Sequence, residues 1–176
     1  MSTDEQREER FTAWVTEFRG IMLKIARAYA ASDADQSDLF QEMALQLWRT
    51  LPAFREQASP STWIYRVCLN TAMTWRRGTL RRETKIQPGA DPGDLSAPAA
   101  SPAENADQRE LLEKLYAAIH AMPDFDRALV LLLLDGLAYR DIAAVTGLTE
   151  NHVGVALTRA RKRLAELMKG VTDEME

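Results

Sequence analysis

Residues 86 to 106, IQPGADPGDLSAPAASPAENA, constrain this chain more than any other stretch. They hold four of the seven prolines and two of the eight glycines, with little apolar bulk and no periodicity, so no packed core can form within them. The stretch reads as a flexible linker. It divides the 176 residues into two pieces, each with a core close to the minimum for independent stability. The expected division is a first domain over 1–85, the linker over 86–106, a second domain over 107–170 and an acidic tail over 171–176.

Both pieces carry apolar residues at helical spacing. Trp14, Phe18, Ile21, Met22, Ile25 and Tyr29 form one stripe and predict an amphipathic helix from Phe11 to Ala31. A second helix is expected to start near Asp35 or Ser37, either of which can cap it, and to carry Leu39, Met43, Leu47 and Leu51 to a stop at Pro52. Ser59-Pro60 reads as a cap and first-turn proline for a third, whose Ile64, Val67, Cys68, Thr71 and Trp75 continue to the Arg-rich stretch from Arg76 to Arg82. Beyond the linker, Leu111, Leu112, Leu115 and Ile119 mark a fourth helix, and Arg127 to Leu134 a short apolar fifth. The Leu129 to Leu134 run can also pass for a buried strand, but one strand makes no sheet. The fold class expected is all-α, two small helical domains joined by a flexible linker.

Composition narrows the function. No run approaches the roughly 20 apolar residues that span a bilayer, and the start, MSTDEQREER, has no apolar stretch behind a basic head, so the chain is expected to be cytoplasmic. A single cysteine, Cys68, excludes an internal disulfide, and with only His120 and His152 besides, neither a metal site nor a cofactor is expected. No nucleophile–base pair or phosphate-cradling glycine loop points to an enzyme. Net charge is −4, but residues 57–85 carry +5 and 136–170 carry +3 within an otherwise acidic chain. Two basic islands of this kind are either solvated helix faces or nucleic-acid contacts.

The segment AYRDIAAVTGLTENHVGVALTRARKRL, residues 138–164, gives the second island its sharpest local signal. Tyr139 to Val145 makes a two-turn helix, Gly147 ends it in the left-handed conformation, Leu148 fills the corner and Thr149 caps a second helix. Val153, Leu157, Ala160, Leu164 and Leu167 face inward, which leaves Asn151, His152, Gly154, Val155, Thr158 and Arg159 outward. That is the face a recognition helix offers to a major groove, with Arg161, Lys162 and Arg163 adding positive charge beyond it. A helical hairpin that only packs on itself or binds a protein is the plainer reading.

In the first half, Asp38 and Glu42 lie one helical turn apart beside Gln41 and make an acidic edge. Downstream, FREQASPSTWIYRVCLNTAMTWRR sets Phe54, Trp63, Tyr65 and Trp75 among Arg55, Arg66, Arg76 and Arg77. Aromatic planes interleaved with guanidinium groups suit single-stranded DNA; core aromatics flanked by solvated arginines are the alternative.

These residues resemble the extracytoplasmic-function (ECF) sigma factors of the sigma-70 class. Residues 11–82 are similar to region 2 of that family, with its D-L-x-Q-E followed by L-W, then T-W-I-Y-R and a later Asn. Residues 107–169 are similar to region 4, with Met122, Pro123 and Arg127, the Tyr-Arg-Asp-Ile-Ala run at Tyr139 to Ala143, and Arg-Ala-Arg at Arg159 to Arg161. The resemblance implies an alternative sigma factor that binds core RNA polymerase and directs promoter recognition, DNA opening and initiation. Asp38, Gln41, Glu42 and Trp48 would dock on the clamp helices of the largest subunit, and region 4 on the flap. Arg55, Ser59, Ser61, Thr62, Trp63, Arg66, Asn70, Arg76 and Arg77 would hold the opened minus-10 strand. Asn151, His152, Val155, Thr158, Arg159, Lys162 and Arg163 would read the minus-35 element. An anti-sigma factor is an expected further partner, and no small-molecule substrate is. The chain departs from the family at Gly154 and Ala156, where a basic residue is frequent, and at Thr74, where an acid is; fewer cations at 154 and 156 imply weaker or altered minus-35 contacts. A helix-turn-helix regulator that works without polymerase is the rival reading, and it leaves the first half without a task.

Overall fold

The computed structural model describes residues 3–83 and 106–173; the expected linker, apart from Ala106, and the last residues of the tail lie outside them. Among the described residues there are eight α-helices and no strand. The first half holds α1 (Thr3–Glu17), α2 (Arg19–Tyr29), α3 (Asp33–Thr50) and α4 (Pro60–Glu83), and the second α5 (Ala106–His120), α6 (Asp124–Leu134), α7 (Tyr139–Thr146) and α8 (Glu150–Asp173).

Two expected boundaries are corrected. The helix foreseen from Phe11 to Ala31 is two helices, because Phe18 leaves helical geometry (φ −99°, ψ 14°) and turns the chain between α1 and α2. The first of them begins eight residues earlier, with Asp4 and Glu5 in its first turn, where carboxylates complement the helix dipole. The cap of α3 is Ser32 rather than Asp35 or Ser37: its oxygen accepts from the Asp35 amide at 3.1 Å, and its hydroxyl donates to the Asp35 carboxylate at 2.8 Å. The other signals hold as expected. Ser59 Oγ accepts from the Thr62 amide at 3.2 Å with Pro60 in the first turn of α4, and a 3-10 turn at Leu51–Ala53 takes up Pro52. Gly147 closes α7 at φ 78° and donates to the Ala143 carbonyl at 2.8 Å.

The apolar run in α6 is a helix buried on nearly every side, with Arg127 through Leu132 all withdrawn from solvent. It lies at the middle of a core that continues from one half into the other: Met22, Ile25 and Tyr29 of α2 and Ile64, Cys68 and Leu69 of α4 share a cluster with Ile119, Leu129, Leu132, Ile142 and Leu157. Helix α2 packs on α5 and α6, and α4 on α6 and α7. Leu111, one of the apolar residues that mark α5, is 61% exposed.

Candidate protein and nucleic-acid interfaces

The acidic edge follows from the register of α3. Leu39, Met43 and Leu47 bury one stripe, which turns Asp38 and Gln41 to solvent and leaves Glu42 half-buried. These three residues, with Leu45 and the Trp75 ring from α4, line one shallow depression. Leu45 is 40% exposed, so the surface joins carboxylates to an apolar floor. Leu45 escaped sequence reasoning although it stands one turn beyond Gln41, and Trp75 because its partner helix is distant in sequence. Trp48 lies apart from the depression: Arg7 donates to its carbonyl at 2.6 Å and stacks 4.0 Å above its ring, and Phe11 meets the ring edge-on at 5.3 Å. In this arrangement Trp48 anchors α1.

The loop and helix foreseen as a strand-binding surface divide three ways. Arg55 and Arg77 are exposed, and Arg77 Nε also donates to the Met73 carbonyl on its own helix. Ser59, Ser61 and Thr62 form a hydroxyl cluster, 3.0 and 2.9 Å from the central Ser59 Oγ, that starts α4; Thr62 is only 8% exposed, so it organises the turn and presents no surface. Trp63 packs with Trp14 and Phe54 at centroid distances of 5.7 and 5.5 Å, so its ring is largely satisfied within an aromatic trio.

The remaining three residues meet the second half of the chain. Arg66 donates to the Ala144 carbonyl of α7, and Arg76 Nε lies 2.8 Å from the Asp124 carboxylate of α6. Asn70 borders a cleft of about 250 Å3 with Arg66 on one wall and Phe125, Val145 and Gly147 on the other. Further polar contacts close the same seam. Tyr65 donates to Asp135 at 2.5 Å, Lys24 pairs with the same carboxylate, and Tyr29 donates to the Asp124 carbonyl at 2.6 Å. Burial pushes the Tyr65 phenol up to about 12 and the Tyr29 phenol further, so both are proton donors at any ordinary pH.

At the centre stands Arg127, fully buried. Its guanidinium donates to the carbonyls of Ala28 at 2.9 Å, His120 at 2.7 Å and Met122 at 3.0 Å. These oxygens lie at the ends of α2 and α5, where helices leave carbonyls unpaired and carry partial negative charge. One cation thus caps a helix from each half. Burial lowers its pKa to about 10, so it keeps its charge at neutral pH. Beside it, His120 Nε2 lies 2.8 Å from the Arg27 carbonyl. Burial first, and the Arg127 charge second, hold this imidazole below its ordinary pKa, with the hydrogen bond to Arg27 pulling the other way.

The second basic island stays open. Helix α8 packs on α5, α6 and α7. Thr149 Oγ1 accepts from the His152 amide at 3.3 Å and caps it. Val153, Ala156, Leu157 and Ala160 are buried, while Asn151, His152, Val155, Thr158, Arg159 and Lys162 all face solvent. Thr158 spends its proton on the Gly154 carbonyl at 2.9 Å, and Arg163 pairs with Asp126 of α6. Ala156 is 5% exposed, which corrects the expectation drawn from it: a cation there would enter the core, so its absence says nothing about groove contacts. Among the described residues no group of His, Cys, Asp and Glu can hold a metal, and no helix is long and apolar enough to cross a membrane.

Comparison with known proteins agrees with this geometry. Residues 14–82 match Sigma-70 region 2 and residues 112–164 match Sigma-70, region 4. The chain is similar to the ECF RNA polymerase sigma-E factor of Escherichia coli, 26% identical over 164 residues that cover 89% of this chain and 85% of that one. It is similar as well to the ECF RNA polymerase sigma factor SigG of Mycobacterium tuberculosis, 28% identical over 98% of this chain and 52% of the relative. Among solved structures, the sigma factor RpoE of Bartonella quintana, in complex with the anti-sigma factor NepR, shares the fold with a TM-score of 0.72 and 20% identity, covering 92% of this chain and 98% of that one. CnrH, in complex with the cytosolic domain of CnrY, follows at 0.65 and 19%, covering 93% and 90%.

Proposed function

The chain belongs to the sigma-70 family and is an alternative RNA polymerase sigma factor of the extracytoplasmic-function type; from that premise we propose how its surfaces divide the work. Asp38, Gln41 and Glu42, with Leu45 and Trp75 as an apolar floor, dock on core polymerase, where desolvated apolar contact supplies affinity and the carboxylates supply orientation. Arg55, Arg66, Asn70, Arg76 and Arg77 hold the opened minus-10 strand by phosphate contact. The exposed face of α8 reads the minus-35 duplex from the major groove. The protein acts as a recruiting subunit in the cytoplasm and not as an enzyme.

The observation that carries this reading is the asymmetry of the packed molecule. The α3 edge and the α8 face are both open, whereas Arg66 and Arg76 are engaged across the seam, Arg66 by the Ala144 carbonyl of α7 and Arg76 by the Asp124 carboxylate of α6. The packed molecule is therefore a closed state, open to polymerase and duplex while two of its strand-binding arginines are held by the other half. Docking on polymerase separates the halves and frees the strand-binding arginines. A partner similar to the anti-sigma factor in the RpoE complex would hold the closed state. Run-off transcription with core polymerase on promoters from the source genome tests the whole: specific transcripts that require the added chain support it, and their absence contradicts it.

A further inference from the structure

Beyond the family's division of labour, the second half carries an apolar feature on a face otherwise built of polar and basic groups. Val155 is 61% exposed on α8, among Asn151, His152, Thr158 and Arg159, while every buried residue of that turn points the opposite way. Tyr139, at the start of α7, is 40% exposed, and its ring lies 3.6 Å from the position a Cβ would take on Gly154. A Cβ at 154 would meet the Tyr139 ring in ordinary van der Waals contact, so the ring lies directly against the helix at this position. The result is a small exposed patch, the Tyr139 ring over Gly154 with Val155 next along the helix.

We infer that Tyr139, Gly154 and Val155 form a reading patch for the methyl group of a thymine in the minus-35 duplex. The inference rests on the reading that α8 enters the major groove. Within that groove guanine, cytosine and adenine are told apart by donors and acceptors, and thymine alone adds an apolar group. A valine at the sixth position of a recognition helix can match only that group, since it has no atom to donate or accept. Arg159, Arg161 and Lys162, all exposed on the same helix, supply the charge that brings a duplex against the patch. Tyr139 acts here as a specificity-determining residue, its ring resting against α8 at Gly154.

The test uses holoenzyme, assembled from core polymerase and the full chain, on promoters recovered by selection with that holoenzyme. Each minus-35 thymine is replaced in turn by deoxyuridine, which deletes one methyl and leaves pairing intact. With the wild-type chain, one position is expected to lose affinity by about fourfold, the value of one buried methyl-sized group. Val155→Ala is expected to lose a similar factor on the thymine promoter and to ignore the replacement. Tyr139→Phe should behave as wild type and Tyr139→Ala as Val155→Ala; melting curves check that each variant folds, and the deoxyuridine series on the wild type needs no variant at all. Holoenzyme that transcribes but shows no thymine-specific loss, or Val155→Ala that still distinguishes the two bases, overturns the patch alone. Failure to form holoenzyme would sink the sigma reading and the patch with it.

Discussion

Arg127 Nη1 donates to the carbonyl oxygen of Ala28 at 2.9 Å, across 99 residues of sequence, from a side chain with no exposure to solvent. The same guanidinium holds the end of α5, so one residue joins the halves and shapes the second of them. Arg127→Met is expected to lower stability by about 3 kcal/mol, since the carbonyls it serves stay buried without a donor. Arg127→Lys should recover little, because a point charge does not reproduce the planar fork. Thermal and urea unfolding of the full chain measure both.

The polar seam predicts how readily the halves part. Asp135 accepts from both Tyr65 and Lys24, and Asp124 pairs with Arg76, whose side chain is 26% exposed. Partly exposed pairs contribute about 1 kcal/mol or less each. Asp124→Asn combined with Asp135→Asn should shift the balance toward the open form and strengthen core-polymerase binding by about fivefold, because docking separates the halves. Energy transfer between dyes on α3 and α8 should report a longer mean separation, and an unchanged distance would contradict the closed-state account.

His120 gives the seam a pH dependence of definite sign. Burial and the neighbouring Arg127, Arg76 and Arg27 charges depress its pKa, and only the Arg27 carbonyl favours the charged ring. A depressed folded-state pKa means that stability is fully present above the ordinary value of about 6.5 and falls as pH drops through it, because the open or unfolded form takes up the proton first. Melting temperature should therefore decline between pH 7 and pH 5.5 in the wild type. His120→Gln should flatten that decline, and a wild-type-like slope in the variant would assign it elsewhere.

The helices and their punctuation were legible in the sequence because caps, stripes and turn glycines act within a few residues of one another. Ser59-Pro60, Gly147 and Thr149 each appear where their local chemistry places them. Long-range pairings were not legible: Arg66 and Arg76 read as free cations, yet their partners are a carbonyl on α7 and a carboxylate on α6, 78 and 48 positions away. Trp63 and Trp48 illustrate the same limit for aromatics, since whether a ring stacks on a base or fills a gap depends on Trp14, Phe54, Arg7 and Phe11, which come together only in the fold. The α8 face was read correctly as outward because one helix decides it alone.

Recruitment depends most directly on the α3 edge gripping the transcription machinery, and equilibrium binding of fluorescently labelled chain to core RNA polymerase measures that grip. Saturable binding is expected for the wild type, weakened by about tenfold or more when Asp38 and Glu42 are both replaced by alanine, as for charges that orient a buried contact. Binding that is absent in the wild type, or indifferent to loss of both carboxylates, would contradict it.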